Sequence, residues 1–389
     1  MTAKYKYSQS ASPEKTPKLG NILEQCFLES GLSPDYFQRI GLENLRFLEK
    51  NDEVIGGLMV VPMAQWWGGE LVPMTGISVV GITPECRGDG AAIALMKNLI
   101  QELYEKQVPL SVLYAATQIP YRKVGYEQAG SACRWEIKTA TLKIEKPSLP
   151  IKAMPVDSEI FHDLYKKQAR QNNGNLNRHP TLWPPGLYPK EGEVMYAYLI
   201  GTLEKPQGYV IFSQHRGDEV YIRLEDWVIL TAQAAQSLWA FLASHRSIID
   251  KVNWKGSLAD AFTLLFPEKT FECKSTSRWM LRVVDMVKAL EMRGYPKQVD
   301  RELHLEVKDD LISENNGKYI LTVANGRGNI TQGGNGELKI DIKTLAPLYT
   351  GLFSAYQLQV MGKLEATETA LLSASQIFSG LSPWMQDFF

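Results

Sequence analysis

The run Val79-Val80-Gly81-Ile82-Thr83-Pro84-Glu85-Cys86-Arg87-Gly88-Asp89-Gly90-Ala91-Ala92-Ile93 holds the residue types and spacing with the clearest chemistry. An apolar strand leads into a glycine-rich turn, and an amphipathic helix is expected to follow through Leu95, Met96, Leu99, Ile100 and Leu103. Glycine lets a backbone come close to a ligand, and a new helix points unpaired N–H groups at whatever lies above it. Such a helix start is an anion site, with a pyrophosphate as its usual occupant. The turn is therefore expected to grip a phosphate-bearing cofactor. It is not the Gly-x-x-x-x-Gly-Lys-Ser/Thr loop of nucleoside-triphosphate enzymes. Nor is it Gly-x-Gly-x-x-Gly with a ribose-binding acid in a second βαβ unit.

The elements around this turn must position it. The aromatic- and methionine-rich stretch from Met59 to Met74 predicts antiparallel strands before the helix. Leu45–Glu49, a turn at Asn51-Asp52 and Val54–Val61 read as a β-hairpin, and Leu71 to Ile82 supplies one or two further strands. A helix is expected over Asn21 to Leu32, and the apolar run Pro109 to Ala116 suits a buried strand. Pro120-Tyr121-Arg122-Lys123-Val124-Gly125-Tyr126 and a strand from Ala132 to Lys138 follow. A proline-rich linker, Lys146 to Pro150, marks a boundary. Beyond it come a helix near Ile160–Gln171 and a polar loop from Asn172 to Pro189. Strands at Val194–Gly201, Gln207–His215 and Glu219–Ile229 then lead to a helix from Ala232 to His245. This order repeats the first segment, but Asp226 to Ala234 has neither the glycines nor the arginine of the cofactor turn. A third segment reads as a helix from Val283 to Arg293, then strands at Leu303–Val307, Gly317–Val323 and Glu337–Ile342. Helices at Ile342–Phe353 and Ala366–Phe378 complete it. The expected domains are 1–145, 146–282 and 283–389.

Composition bounds the class. A chain of 389 residues, 44% hydrophobic, exceeds one core. A formal net charge of -1 offers no basic excess to neutralise phosphates, which argues against a nucleic-acid partner. Cys26, Cys86, Cys133 and Cys273 are scattered without Cys-x-x-Cys spacing, which suits a reducing cytoplasm. His162, His179, His215, His245 and His304 form no ligand spacing in sequence, so no metal is expected. The first residues lack an apolar signal region and no uninterrupted apolar stretch reaches membrane-spanning length, so no membrane partner is expected.

Taken together, the chain resembles the enhanced-intracellular-survival (Eis-like) acetyltransferases of the GNAT superfamily over essentially its whole length. Four features carry the resemblance: Val80–Ile93 as acetyl-CoA loop, the segment Ala115-Ala116-Thr117-Gln118-Ile119-Pro120-Tyr121, Gly125-Tyr126 after it, and the aromatic end Phe388-Phe389. The resemblance implies an α/β (α+β) fold of two fused GNAT-type mixed-sheet regions followed by a sterol-carrier-protein-like α+β domain. It implies acetyl-CoA as cosubstrate, held by Val80, Gly81, Ile82, Arg87, Gly88, Asp89, Gly90, Ala91, Ala92, Ile93, Ala116 and Thr117. It implies Tyr121 as general acid and the C-terminal carboxylate of Phe389 as general base. It also implies a homo-oligomer, a hexamer, and acceptors that are small primary amines such as aminoglycosides. The competing functions are a protein lysine acetyltransferase and a lipid carrier with a vestigial GNAT part.

The chemistry stands on its own footing. A primary amine near neutral pH is mostly ammonium, so its attack on a thioester needs a base. The departing thiolate benefits from a proton donor, which a tyrosine hydroxyl can be. A terminal carboxylate has a low reference pKa and acts as base only when partly buried or through a water. The tail Pro383 to Phe389 is too aromatic to fray, and packing it would fix that carboxylate. Asp89 should repel a pyrophosphate, unless it turns away or caps the helix. Trp66-Trp67 are equally candidates for a substrate pocket, a dimer contact or a solvent-exposed loop, and Glu29, Asp35 and Asp387 either attract a cationic amine or simply lie on a solvated face.

Overall fold

Asn51 and Asp52 take φ of 51° and 62°, and Gly68 and Gly69 take 57° and 82°. Two consecutive residues with positive φ make tight turns whose twist matches a hairpin. Residues 45–82 accordingly fold as three antiparallel strands, Leu45–Lys50, Glu53–Trp67 and Glu70–Ile82. The computed structural model describes residues 5–28, 34–142, 146–184, 193–266 and 268–389, without the side chains of residues 34–36. It divides into two compact units. One comprises Met1–Gly130, Trp279–Leu381 and Phe388–Phe389, and the other comprises Ser131–Arg278 and Ser382–Asp387.

In the first unit the three strands are extended on one side by Lys6–Ser8 and on the other by Leu110–Tyr114, which runs parallel to Glu70–Ile82. Residues Trp279–Val283 pair antiparallel with Leu110–Tyr114. The helix Ala91–Glu105 lays Leu95, Met96, Leu99, Ile100 and Leu103 on this sheet, in a core with Leu58, Val60, Ile77 and Leu113. One polar residue sits on that buried face. Glu102 meets Arg46 Nη2 at 2.6 Å and Lys106 Nζ at 2.7 Å, and accepts a bond from the Tyr7 hydroxyl. The pair with Arg46 pins the helix to the strand Leu45–Lys50. Removing either partner strands a buried charge, at a cost of about 3–5 kcal/mol.

A five-stranded sheet, ordered Arg327–Gln332, Gly317–Ala324, Arg301–Lys308, Leu338–Asp341 and Leu364–Ala366, belongs to the same unit. The helices Ile342–Thr350, Ala355–Val360 and Glu368–Ile377 accompany it. Its edge strand Arg327–Gln332 is polar and unannounced by alternation. The positive-φ pair Asn325 and Gly326, at 53° and 79°, turns the chain back into it.

In the second unit, Glu127–Lys138 pairs through Cys133–Lys138 with Lys251–Gly256, and Val220–Ile229, Pro206–Arg216, Met195–Gly201 and Ile151–Met154 follow in order. Only the pairing of Val220–Ile229 with Lys251–Gly256 is parallel among these. The helix Ala232–Ala243 buries Ala234, Leu238 and Leu242 with Val210, Phe212 and Trp254. The mixed α/β architecture, with two mixed-sheet regions and a further five-stranded α+β segment, is as expected.

Several helix boundaries differ from the sequence reading: Ala232–Ala243, Ile342–Thr350 and Glu368–Ile377 are each shorter than expected, and two others shift further. The first helix is Lys15–Phe27, because Leu19, Ile22 and Leu23 form its buried stripe, and a separate helix starts at Pro34. The end of the expected Asn21–Leu32 helix lies outside the described residues. In the third segment, Val283 is still strand, and the helix is Met286–Met292. Asp285 caps it by accepting a bond from Lys288 N at 3.0 Å, which fixes its start.

Candidate active site

The strands Glu70–Ile82 and Leu110–Tyr114 pair only from Met74–Leu110 to Ile77–Leu113. Beyond that point the first strand continues to Ile82, and among the described residues Leu110–Tyr114 no longer accompanies it on this side. Opposite the gap, the pairing with Glu53–Trp67 jumps from Met59–Ser78 to Gly57–Gly81, so Val79 and Val80 face Leu58 alone. Val79 has φ of 47°. This is a β-bulge, which leaves a backbone residue out of the ladder and able to bond a ligand. The parallel pairing thus stops short of Val80, Gly81 and Ile82, whose backbone edge on that side lies beyond the end of the paired register.

The turn that follows brings the remaining cofactor candidates to the same end of the sheet. Val80, Ala92, Ile93, Ala115 and Tyr121 all pack on the core that includes Ile82 and Ala91. Gly90 caps the helix Ala91–Glu105 with φ of 85° and no side-chain cap, and Gly88 has φ of 82°. A Cβ added at Gly88 or Gly90 would meet nothing within 4 Å, so open space lies over the helix start. The corresponding helix of the second unit is closed instead. Thr231 Oγ1 accepts from Ala234 N at 3.1 Å, filling the position an anion would need.

Two turn residues behave differently from a simple phosphate contact. Arg87 donates from Nε to the Ile82 carbonyl at 3.0 Å, and its Nη2 lies 3.2 Å from Cys26 Sγ. It ties the turn back to the strand end. Asp89 turns its Oδ2 toward Lys50 Nζ, 3.8 Å away, and its carbonyl accepts from the Tyr5 hydroxyl at 3.1 Å. The helix cap is Gly90, not Asp89. Ala116 and Thr117 lie exposed in the segment between Leu110–Tyr114 and the short helix Ile119–Arg122.

Tyr121 sits on that short helix, its ring 6.2 Å from the Tyr126 ring in an edge-on contact. Burial pushes its phenol up to about 12. Tyr126 is fully buried and its hydroxyl is spent on Ser111 Oγ at 2.6 Å. Of the two tyrosines, Tyr121 keeps a hydroxyl with no protein partner among the described residues, as a proton donor to a ligand requires. Beneath the turn, Arg282 is buried against Gly125 and pairs through Nη2 with Asp309 Oδ2 at 2.5 Å.

The last residue is not frayed. Phe389 is 3% exposed, and its ring packs against Gly76 and edge-on against Tyr114, 6.2 Å between centroids. Gly76 and Tyr114 belong to the two strands that part. A Cβ at Gly76 would lie 2.7 Å from Phe389 Cε2, so only glycine leaves the ring its seat.

Other expectations are corrected. Asp387 is no amine attractor: it is buried and bonded to Arg178 Nε at 2.7 Å, so its charge is spent. Glu29 and the side chain of Asp35 lie outside the described residues. Trp67 is wholly buried against Trp279 and Tyr349, and Trp66 is nearly so; both belong to the core rather than a substrate pocket. His215, which sequence spacing left without ligand partners, comes together with Glu193 and Glu225, all ligand atoms within 4.8 Å. Residues far apart in sequence meet there across strands. Arg223 lies 2.5 Å from both carboxylates, so a guanidinium already occupies the cation position. A cavity of about 860 Å³ near the third segment's helices is lined by Lys343, Pro347, Phe353, Leu358, Val360 and Met361 among others.

Comparisons with known proteins agree with this architecture. Residues 9–129 and 174–283 each match an acetyltransferase (GNAT) domain, and residues 286–386 match a sterol carrier protein domain. The chain is 56% identical to a GCN5-related N-acetyltransferase from Anabaena variabilis, covering 99% of this chain and 100% of that one, with a TM-score of 0.97. It shares 24% identity over 342 residues, 82% of either chain, with an N-acetyltransferase from Streptomyces avermitilis. Eis1 from Mycobacterium abscessus shares its fold, at 19% identity and a TM-score of 0.84 over 99% of this chain and 100% of that one.

Proposed function

The chain belongs to the GCN5-related N-acetyltransferase family, and from that premise we propose that it moves the acetyl group of acetyl-CoA onto a small primary amine by direct attack in a ternary complex. The observation that carries the reading is the uncapped helix start at Gly90 beside the bulged, parting strands. A pyrophosphate suits the N–H groups of Gly88 to Ile93, and the slot at Val80–Ile82 suits a narrow chain leading to a thioester. Arg87 holds the turn in shape rather than reaching for phosphate. Tyr121 protonates the departing thiolate, and the Phe389 carboxylate takes the ammonium proton, directly or through a water. The acceptors are polyamine-like molecules such as aminoglycosides, and the enzyme works as a homo-oligomer in the cytoplasm without metal.

Calorimetry with CoA tests the cofactor half of this reading. One site per chain is expected, and Gly90→Val should raise the dissociation constant by about tenfold or more, because a β-branched residue resists positive φ and fills the open space. Thiol release measured on free aminoglycosides and on lysine peptides tests the acceptor half. Faster turnover of peptides would favour a protein lysine acetyltransferase. The apolar cavity near Pro347 and Phe353 supports a second reading, a lipid carrier with a vestigial acetyltransferase part. That reading requires CoA binding to be absent.

A further inference from the structure

We propose that Tyr114 is a positioning residue for the chain's terminal carboxylate; this rests on the reading of that carboxylate as the general base. Successive side chains of a strand point to opposite faces, and aligned residues of neighbouring strands share a face. Leu113 and its partner Ile77 turn to the core under the helix Ala91–Glu105. Tyr114, Val112 and Val112's partner Gly76 therefore present the other face. The end of the chain lies there. The Tyr114 ring meets Phe388 at 4.9 Å and Phe389 at 6.2 Å between centroids, and Phe389 fills the space over Gly76 that a side chain would otherwise take.

Among the described residues Phe388 and Phe389 make no hydrogen bond or ion pair, so their placement rests on ring contacts. Phe389 is 3% exposed and Phe388 is 57% exposed, so burial holds the last ring only. Apolar burial is non-directional, and a ring seated over one glycine can still turn about its seat. The edge-on contact with Tyr114, a preferred geometry for aromatic pairs, supplies a second fixed point. Phe388 against the same Tyr114 ring supplies a third, one residue back along the chain.

Tyr114 is itself held firmly. It is the last residue of its strand, and its pairing partner is the wholly buried Trp279. The Trp279 ring lies 6.4 Å from the Trp67 ring, and a Cβ added at Gly130 would come within 1.9 Å of Trp279 Cζ2. The strand end that carries Tyr114 cannot shift without disturbing that packing. Tyr114 is also the first residue beyond the last parallel pair, Ile77–Leu113, and it directly precedes Ala115 to Thr117. Its ring thus references the terminal residue to the strand end at the candidate site. Misplacing a reacting group by about 1 Å can cost roughly a hundredfold in rate.

The test is a double-mutant cycle in the full chain and in a chain lacking Phe388 and Phe389, with melting temperature followed throughout. In the full chain Tyr114→Leu, which keeps an apolar side chain but removes the ring, is expected to lower kcat by roughly 10- to 100-fold, with KM for acetyl-CoA changed less than about twofold. Tyr114→Phe restores the ring and should bring kcat back to within about threefold of the unaltered chain. In the shortened chain Tyr114→Leu should change kcat by less than about twofold, because the group it positions is gone. Equal losses in both backgrounds would mean a structural role only and would overturn the proposal. An unchanged kcat in the full chain, or a Phe variant as slow as the Leu variant, would overturn it too. Should Tyr114→Leu prevent folding, Gly76→Ala displaces the Phe389 ring from its other contact and is read in the same two chains. Deleting Phe388 and Phe389 alone separates the two ideas. If that leaves kcat intact, the terminal-base reading itself falls, and the positioning role with it; if deletion lowers kcat but Tyr114→Leu does not, only the positioning role falls.

Discussion

Adding a few residues after Phe389 is expected to lower kcat by roughly 10²- to 10⁴-fold, the range that a positioned general base contributes. The loss follows from geometry rather than from unfolding. The Phe389 ring is seated against Gly76 and Tyr114, on the two strands that part to form the candidate thioester slot. An extension converts the terminal carboxylate into a neutral amide and pushes chain into the space around that seat. CoA binding at the helix start depends on neither, so its dissociation constant should stay within about threefold. A thiol-release assay on matched tagged and untagged chains measures the effect. A C-terminally tagged enzyme with full turnover would remove the carboxylate from the mechanism.

Tyr121→Phe should lower kcat by a similar factor, roughly 10²- to 10⁴-fold, with little change in melting temperature. The hydroxyl it removes has no protein partner among the described residues, so no buried group is stranded by its loss. Burial raises this phenol to about 12, so it stays protonated throughout the working range and is ready to donate. Any fall in rate between pH 8 and 10 must then come from another group, and that limb should persist in the Phe variant's residual activity. Tyr126→Phe is the contrasting case. It removes one buried hydrogen bond of Ser111 Oγ, which keeps its bond to the Thr75 carbonyl at 3.2 Å, at a cost of about 1 kcal/mol of stability, while turnover should fall far less than for Tyr121→Phe.

The parts of the site legible in sequence were those made by short-range rules. Gly88 and Gly90 mark a helix start with free N–H groups, and Asn51-Asp52 mark a hairpin, because positive φ is written in residue type. The aromatic terminus announced its own burial through Phe389. The bulge at Val79 was not legible, since a valine at positive φ is imposed by the two strands around it and contradicts local preference. Arg178 lies within the polar loop from Asn172 to Pro189, and nothing in its spacing marks it. Its partners Asp226 and Asp387 lie 48 and 209 positions away, and only the folded chain joins them. The same holds for Arg87, whose spacing suggested a phosphate contact but whose guanidinium bonds the Ile82 carbonyl. Glu193, His215 and Glu225 meet only through the fold, which linear spacing cannot express.

The central claim, direct acetyl transfer to an amine at a site assembled from Gly90, Tyr121 and Phe389, is tested most directly with acetyl-labelled CoA. The full chain is incubated with it in the presence and absence of a primary amine, and label is followed in the amine, the protein and free CoA. The expected result is label in the amine and matching CoA release only when the amine is present, with the protein unlabelled. Label accumulating on the protein without amine, or CoA bound but never discharged to any amine tested, would contradict it.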